Sequence, residues 1–165
     1  MSIHFFYGQE YYFLEKEIQK MKSEYLNSDF ITMNYKTFDN PDGAQLIECC
    51  QNAPLMFGDM LSVIHIDKYL IGNKMSLTDD QLESFEFALK NASPQVHLVF
   101  VCKIPWDEPK KPDSRKKFYK IISKYFENNN IKIHLDNTSE IIEKIYNKNK
   151  QFLISTIAKI MMNND

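Results

Sequence analysis

The feature that most constrains the fold is a regular alternation of short apolar runs with longer amphipathic segments. The runs have strand length and are rich in β-branched or aromatic residues, and the segments between them repeat apolar residues every three or four positions, as helices do. The predicted strands are residues 3–7, 31–38, 61–66, 96–101 and 131–135. This order, with short links, predicts an α/β fold whose five-stranded, mostly parallel sheet is covered by helices on both faces.

The length of the chain sets the domain organisation. With 165 residues, of which 44% are hydrophobic, the chain can bury one substantial core, and its 12 Phe and 9 Tyr exclude disorder as the dominant state. We predict an α/β domain over residues 1–137. Residues 138–165 are predicted to form C-terminal helices that begin a second domain.

Cysteine usage and hydropathy predict the compartment. There are three cysteines, two of them adjacent (Cys49 and Cys50), and no C-x-x-C motif. This pattern supports neither a disulfide framework nor a zinc or redox site, and it favours a reducing compartment. No apolar run approaches the length that spans a membrane, and no signal peptide is recognisable. We therefore expect a cytoplasmic protein without a membrane partner.

The turn after the first strand is where an α/β protein usually binds phosphate. A phosphate-binding loop needs several glycines, a lysine and a Ser or Thr. This turn has Gly8 alone, no lysine, and an acidic Glu10 that would repel phosphate. Asp67 follows the third strand, where nucleotide hydrolases often place a metal-binding acid, but without a phosphate loop we interpret it as a strand-end polar residue. We expect no nucleotide or other cofactor.

The predicted strands carry four histidines, His4, His65, His97 and His134, and none has the spacing of a metal or catalytic motif. We interpret them as structural. The sequence therefore predicts no catalytic and no metal-binding residues, and the isolated domain is not expected to be an enzyme.

The segment 53–60 is unusually apolar for a connection between a helix and a strand. It contains Leu55, Met56 and Phe57 in a row, followed by Gly58 and Asp59. One interpretation is a hydrophobic staple tucked under the edge of the sheet. The other is an exposed apolar plug that enters a partner's pocket, for which large and adaptable side chains are suited. The residues alone leave the two alternatives equal.

A predicted helix over residues 114–127 concentrates positive charge on a chain whose net charge is -2. Its apolar face is formed by Phe118, Ile121, Ile122 and Tyr125, and the basic residues lie outside that face. The basic face is either simply solvated or a contact surface for a phosphate backbone or an acidic protein. The basic residues are Arg115, Lys116, Lys117, Lys120 and Lys124.

Taken in order, these segments resemble the N-terminal domain of the delta subunit of bacterial DNA polymerase III, a clamp-loader subunit. The resemblance covers about residues 3–126. The residues that carry it are 6–10, 13–14, 38–39, 53–59, 62–64, 96–101 and 116–120.

That resemblance implies a RecA-like (AAA+) three-layer sandwich with a degenerate phosphate loop that does not hydrolyse ATP. It implies that an apolar pair enters a pocket on the ring-shaped sliding clamp (the beta subunit) and helps open it. The pair falls on Met56 and Phe57, with Leu55 adjacent. The implied further partners are the gamma/tau and delta prime subunits of the clamp loader and, in the full complex, primed DNA. The basic residues of helix 114–127 are then candidates to contact DNA or a neighbouring subunit.

The sequence departs from the family pattern in three respects. Met60 and Leu61 stand where the family often has two basic residues, and Met-Phe replaces the more usual Leu-Phe or Phe-Phe pair. The chain is also about half the length of a full delta subunit, so residues 138–165 supply at most the start of a helical lid. The chain is then either an excised N-terminal fragment or a divergent short relative, and we favour the fragment.

Two alternatives come from other functional classes. One is a nucleotide-using α/β enzyme with an unusual phosphate site. The other is a nucleic-acid-binding scaffold that acts through the basic helix 114–127.

Overall fold

A computed structural model describes residues 1–9, 11–55, 57–72, 74–105 and 110–126, together with the backbone of 132–134. All of them belong to one compact unit, residues 1–135. The predictions about Glu10, Met56 and the C-terminal helices of 138–165 lie outside the described residues.

The sheet is parallel throughout. Its order is β2-β3-β4-β1-β5, and every neighbouring pair runs in the same direction. The predicted α/β class with a parallel sheet is thus confirmed. The strands are β1 (Ser2–Gly8), β2 (Tyr35–Asp39), β3 (Met60–His65), β4 (Val96–Lys103) and the short β5 (Lys132–His134).

Helices lie on both faces of this sheet. Within the described residues, no helix is both long enough and apolar enough to cross a membrane. The helices are α1 (Tyr11–Tyr25), α2 (Ile31–Asn34), α3 (Gly43–Gln51), α4 (Asp67–Leu70), α5 (Asp79–Lys90) and α6 (Lys117–Phe126), with a 3₁₀ turn at Ser28–Phe30.

Strands β1 to β4 send alternate side chains to two separate apolar cores. On one face, Phe5 and Phe100 pack with residues of α3, α5 and α6. On the other, Phe6 and Val99 pack against α1. Because both faces are covered, the middle strands β1, β3 and β4 are mostly apolar, with few polar residues among them.

The predicted second strand, 31–38, is wrong in its first half. Residues Ile31–Asn34 form the single helical turn α2, and β2 begins at Tyr35. The reason lies in the partner strand: Tyr35 pairs with Leu61, and β3 starts at Met60. Residues 31–33 would therefore have no strand opposite them. A helical turn satisfies their backbone groups locally, and this outweighs the strand preference of β-branched residues.

Asp67 is not a strand-end residue, because it opens α4. Its carboxylate accepts a hydrogen bond of 3.1 Å from Nδ2 of Asn40. Asn40 also accepts a bond of 2.8 Å from the backbone N–H of Lys68, and it adopts a left-handed conformation with φ 47°. Asn40 therefore joins the end of β2 to the start of α4.

We expect Asn40→Ala to lower the free energy of unfolding by about 2 to 4 kcal/mol, because it removes the side-chain bonds and strains the left-handed backbone. Asn40→Gly loses the same bonds but tolerates the conformation, so it is expected to be about 1 kcal/mol less destabilising. Urea denaturation of both variants measures the difference. Equal losses would contradict a contribution from the backbone.

Candidate functional site

The apolar loop, residues 52–59, joins α3 to β3 at the edge of the sheet where the strands begin. Leu55 is 72% exposed and Phe57 80% exposed. Neither side chain is tucked under the sheet, as the staple alternative requires. Exposed large apolar side chains on a connecting loop are typical of a surface that binds a partner.

The tip of this loop is held by a buried side chain, Asn34 at the end of α2. Its Oδ1 accepts a hydrogen bond of 3.2 Å from the backbone N–H of Leu55. Its Nδ2 donates one of 3.3 Å to the carbonyl oxygen of Phe57. The loop backbone is therefore fixed on both sides of position 56 in the sequence.

The exit of the apolar loop is held by β4 and the turn before it. Gly58 has φ 103°, a conformation that L side chains rarely adopt, and its carbonyl accepts a bond of 3.4 Å from Gln95 Nε2. The carboxylate of Asp59 accepts a bond of 3.1 Å from Nε2 of His97. The chain then enters β3 at Met60, whose N–H donates to the carbonyl of Gln95 at 2.8 Å.

A chain of hydrogen bonds continues from Asp59 across the sheet. Nδ1 of His97 lies 2.6 Å from Oγ of Ser2, which lies 3.0 Å from Nε2 of His4. The ring of Tyr25 stacks on His97 at 3.9 Å. Because His97 donates to Asp59 through Nε2, its neutral Nδ1 accepts from Ser2, and Ser2 then accepts from His4.

Both of these imidazoles are held in the neutral form. Burial lowers the pKa of His4 to about 4, with a smaller contribution from His97. Burial also lowers the pKa of His97, and it outweighs the opposing effect of Asp59. Ser, His and Asp occur together here, but the Ser2 hydroxyl is shared between two imidazoles. We therefore assign the group a structural role in anchoring the loop.

The turn after β1 lies at the opposite edge of the sheet, where the strands end. Nε2 of Gln9 donates to the carbonyl oxygen of Pro105 at 3.1 Å, and the hydroxyl of Tyr11 donates to the carbonyl oxygen of Ile104 at 3.2 Å. Side chains thus hold this turn against the end of β4, in the position where a phosphate-binding loop would present backbone N–H groups.

A half-open hollow of about 270 Å³ lies beside this turn. Its walls include Asp67 and three lysines, Lys68, Lys74 and Lys103. This is the edge at which α/β sheets usually bind ligands, so a nucleotide, if one bound, would occupy the hollow. Across the part of the chain that is described, no three His, Cys, Asp or Glu side chains are grouped closely enough to hold a metal ion.

Four of the five predicted basic residues make side-chain contacts within the chain. Nζ of Lys116 donates to the carbonyls of Tyr69, at 2.6 Å, and Gly72. The other contacts are Lys117 with Asp79 at 2.6 Å, Lys124 with Glu86 at 2.7 Å and Arg115 with Asp113 at 3.0 Å.

Lys120 differs from these four cations. It is exposed on α6 and makes no ion pair with a described residue. Within the described residues the helix runs over Lys117–Phe126, so it begins three residues later than predicted.

Two of the residues that shape the apolar loop, Asn34 and His97, were not predicted from the sequence. Asn34 lies inside a segment with strand character, and His97 lies in an apolar strand. Each contacts a loop residue that is 21 or 38 positions away in the sequence, and a local sequence pattern does not reveal such contacts.

Protonation of His4 should make stability depend on pH. Because its folded pKa of about 4 is below the 6.5 of an unfolded histidine, the folded state binds fewer protons, and stability falls as the pH drops from 6.5 towards 4. We expect a loss of about 2 kcal/mol between pH 7 and pH 5, measured by urea denaturation. His4→Gln should flatten this slope. An unchanged slope would contradict the role of His4.

Comparisons with known proteins agree with this architecture. The family model for DNA polymerase III, delta subunit, matches residues 4–136. Among solved structures, the Bacillus subtilis DNA clamp loader delta protein (YqeN) matches with a TM-score of 0.62 and 20% sequence identity. The match covers 82% of this chain and 38% of that one, so this chain spans well under half the length of that protein.

At this level of identity the structural match supports a shared fold. A search of the curated proteins found no match. The family model, however, covers most of the sequence, and the chain therefore belongs to the DNA polymerase III delta subunit family.

Proposed function

We propose that this chain is the clamp-binding part of a clamp loader. In this proposal the apolar loop inserts Met56 and Phe57, with Leu55 beside them, into a hydrophobic pocket of the sliding clamp (the beta subunit) and helps open the ring. The observation that carries the proposal is the exposure of Leu55 and Phe57 on a loop whose backbone is held by hydrogen bonds to the buried side chain of Asn34. Membership of the delta subunit family supports it.

The energy for work on the ring would come from ATP bound to other subunits. The turn after β1 is occupied by the side-chain contacts of Gln9 and Tyr11, which supports a chain that does not hydrolyse ATP itself. Burial of two large apolar side chains contributes roughly 3 to 6 kcal/mol before the cost of association. Such a contact is strong enough to form and weak enough to release.

The finer fold assignment belongs to the same proposal. We assign the domain to the RecA-like (AAA+) class with a five-stranded sheet, with residues 1–137 as this domain and 138–165 as the start of a lid. In support, helices cover both faces, and the short β5 extends the sheet beside β1. Work in DNA replication would place the protein in the cytoplasm.

Contacts with the gamma/tau and delta prime subunits and with primed DNA are a second part of the proposal. Helix α6 and the residues before it are the candidate surface. Among these cations we favour Lys120 as a contact for a partner, because the side chains of the other four already contact groups within the chain. The candidate contacts remain Arg115, Lys116, Lys117, Lys120 and Lys124.

Truncation of the loop tip is the direct test of clamp binding. We expect the wild-type chain to bind the sliding clamp of the same organism saturably, and Phe57→Ala to weaken the affinity about 10- to 100-fold, because one large apolar side chain is lost from the contact. Met56→Ala/Phe57→Ala should abolish binding. Calorimetric titration measures both.

The matched control is Phe87→Ala. Phe87 is 68% exposed on α5 and does not belong to the apolar loop, so its removal deletes a similar side chain and should leave the affinity unchanged. Absence of wild-type binding at high micromolar concentration would refute the clamp proposal. DNA binding that is steeply salt-dependent and indifferent to Phe57→Ala would instead favour the nucleic-acid scaffold.

The hollow beside the β1 turn is the one observation that favours the nucleotide-using enzyme. A ligand that binds only the folded state raises the melting temperature. We expect millimolar Mg-ATP to leave the melting temperature unchanged in differential scanning fluorimetry. A rise that disappears in Lys103→Ala would show that nucleotide occupies the hollow.

A further inference from the structure

We propose that Asn34 is the positioning residue of the apolar loop, and that its two hydrogen bonds pre-arrange Leu55 and Phe57 for the clamp. The inference rests on the proposed function and adds a residue to it that lies outside the loop. Asn34 precedes Leu55 by 21 positions and belongs to a different element, α2.

The chemistry of the contact suits an amide. One bond needs an acceptor for the N–H of Leu55, and the other needs a donor for the carbonyl of Phe57. An amide carries both groups on one short planar head, and Asn meets both partners from the end of α2. A carboxylate could keep the first bond but would face the carbonyl of Phe57 with a second acceptor.

The support beneath the amide is rigid. Asn34 has a relative exposure of 0%, and the next residue, Tyr35, begins β2 and pairs with Leu61 of β3. Asn34 is therefore fixed to the same sheet that receives the end of the loop. A buried side chain bonded at both polar ends has little freedom to move.

Three further bonds hold the other end of the loop. Gln95 donates to the carbonyl of Gly58, His97 donates to the carboxylate of Asp59, and the N–H of Met60 donates to the carbonyl of Gln95. With Asn34 holding 55 and 57, the backbone is fixed from the tip to β3, while the side chains of Leu55 and Phe57 stay exposed.

The consequence is an effect on affinity that involves no contact with the clamp. A loop that samples many conformations must be ordered when it binds, and this ordering weakens the association. The hydrogen bonds of Asn34 order the backbone at Leu55 and Phe57 before the loop binds. Its removal should therefore weaken binding even though Asn34 itself is buried beneath the loop.

The test compares Asn34→Leu, Asn34→Asp and wild type. Leu has a similar size but no polar group, so both bonds are lost without a large cavity, whereas Asp keeps an acceptor for Leu55 alone. We expect Asn34→Leu to bind the clamp about 10-fold more weakly than wild type and to speed amide hydrogen exchange at Leu55 by at least about 10-fold. Asn34→Asp should retain slow exchange at Leu55 and lose part of the affinity.

The control for general destabilisation is Ile122→Val, a buried substitution on α6 that does not touch the loop. It should leave both the clamp affinity and the exchange at Leu55 as in wild type. If Asn34→Leu does not fold, Asn34→Asp still tests the loss of the bond to Phe57, and full wild-type affinity in that variant would overturn the inference.

The outcomes separate the inference from the proposed function. No binding by the wild type refutes the proposed function, while the exchange at Leu55 still reports whether Asn34 holds the loop. Wild-type binding that is lost in Phe57→Ala but unchanged in Asn34→Leu overturns the inference and leaves the proposed function intact. Unchanged exchange at Leu55 in Asn34→Leu also overturns it.

Discussion

The structure depends on β4, a strand that is buried along its length. Residues 96–102 are all buried; on one side β4 pairs with β1, and on the other with β3. A strand in this position must satisfy every backbone group through its neighbours, because no water reaches it. That requirement fixes β4 between two partner strands, and the parallel direction of all the strands places the connections at two opposite edges of the sheet.

The two edges of the sheet differ in their side chains, and the proposed function rests on this difference. At the edge where the strands end, side-chain contacts close the turn after β1, and Asn40 ties β2 to α4. At the edge where the strands begin, the polar chain from Asp59 to His4 and the amide of Asn34 support the apolar loop. At the first edge these side chains bond to other parts of the chain, whereas the second edge exposes the apolar side chains of Leu55 and Phe57 to solvent. The proposed clamp-binding module, which does not itself hydrolyse ATP, is consistent with both edges.

The buried polar groups near the loop are costly unless each has a partner. Burial lowers the pKa values of His4 and His97, which keeps both neutral and lets a single hydroxyl, that of Ser2, link them. The direction of each bond is then fixed by the previous one, so the chain has one arrangement. The position of Asp59, and with it the exit of the loop, follows from that arrangement.

Local periodicity and composition were enough to predict the alternation of strands and helices, the parallel sheet and the absence of a recognisable phosphate loop. It also singled out residues 55–57 as unusual for a loop, but it could not decide whether they were buried or exposed. It misplaced the start of β2, since only the length of β3 shows that residues 31–33 have no partner strand. The tertiary structure alone decided the exposure of Leu55 and Phe57, the pairing of the basic residues and the support from Asn34. Apart from the local pair Arg115–Asp113, these depend on contacts between residues 21 to 47 positions apart, and no local pattern encodes which of them will meet.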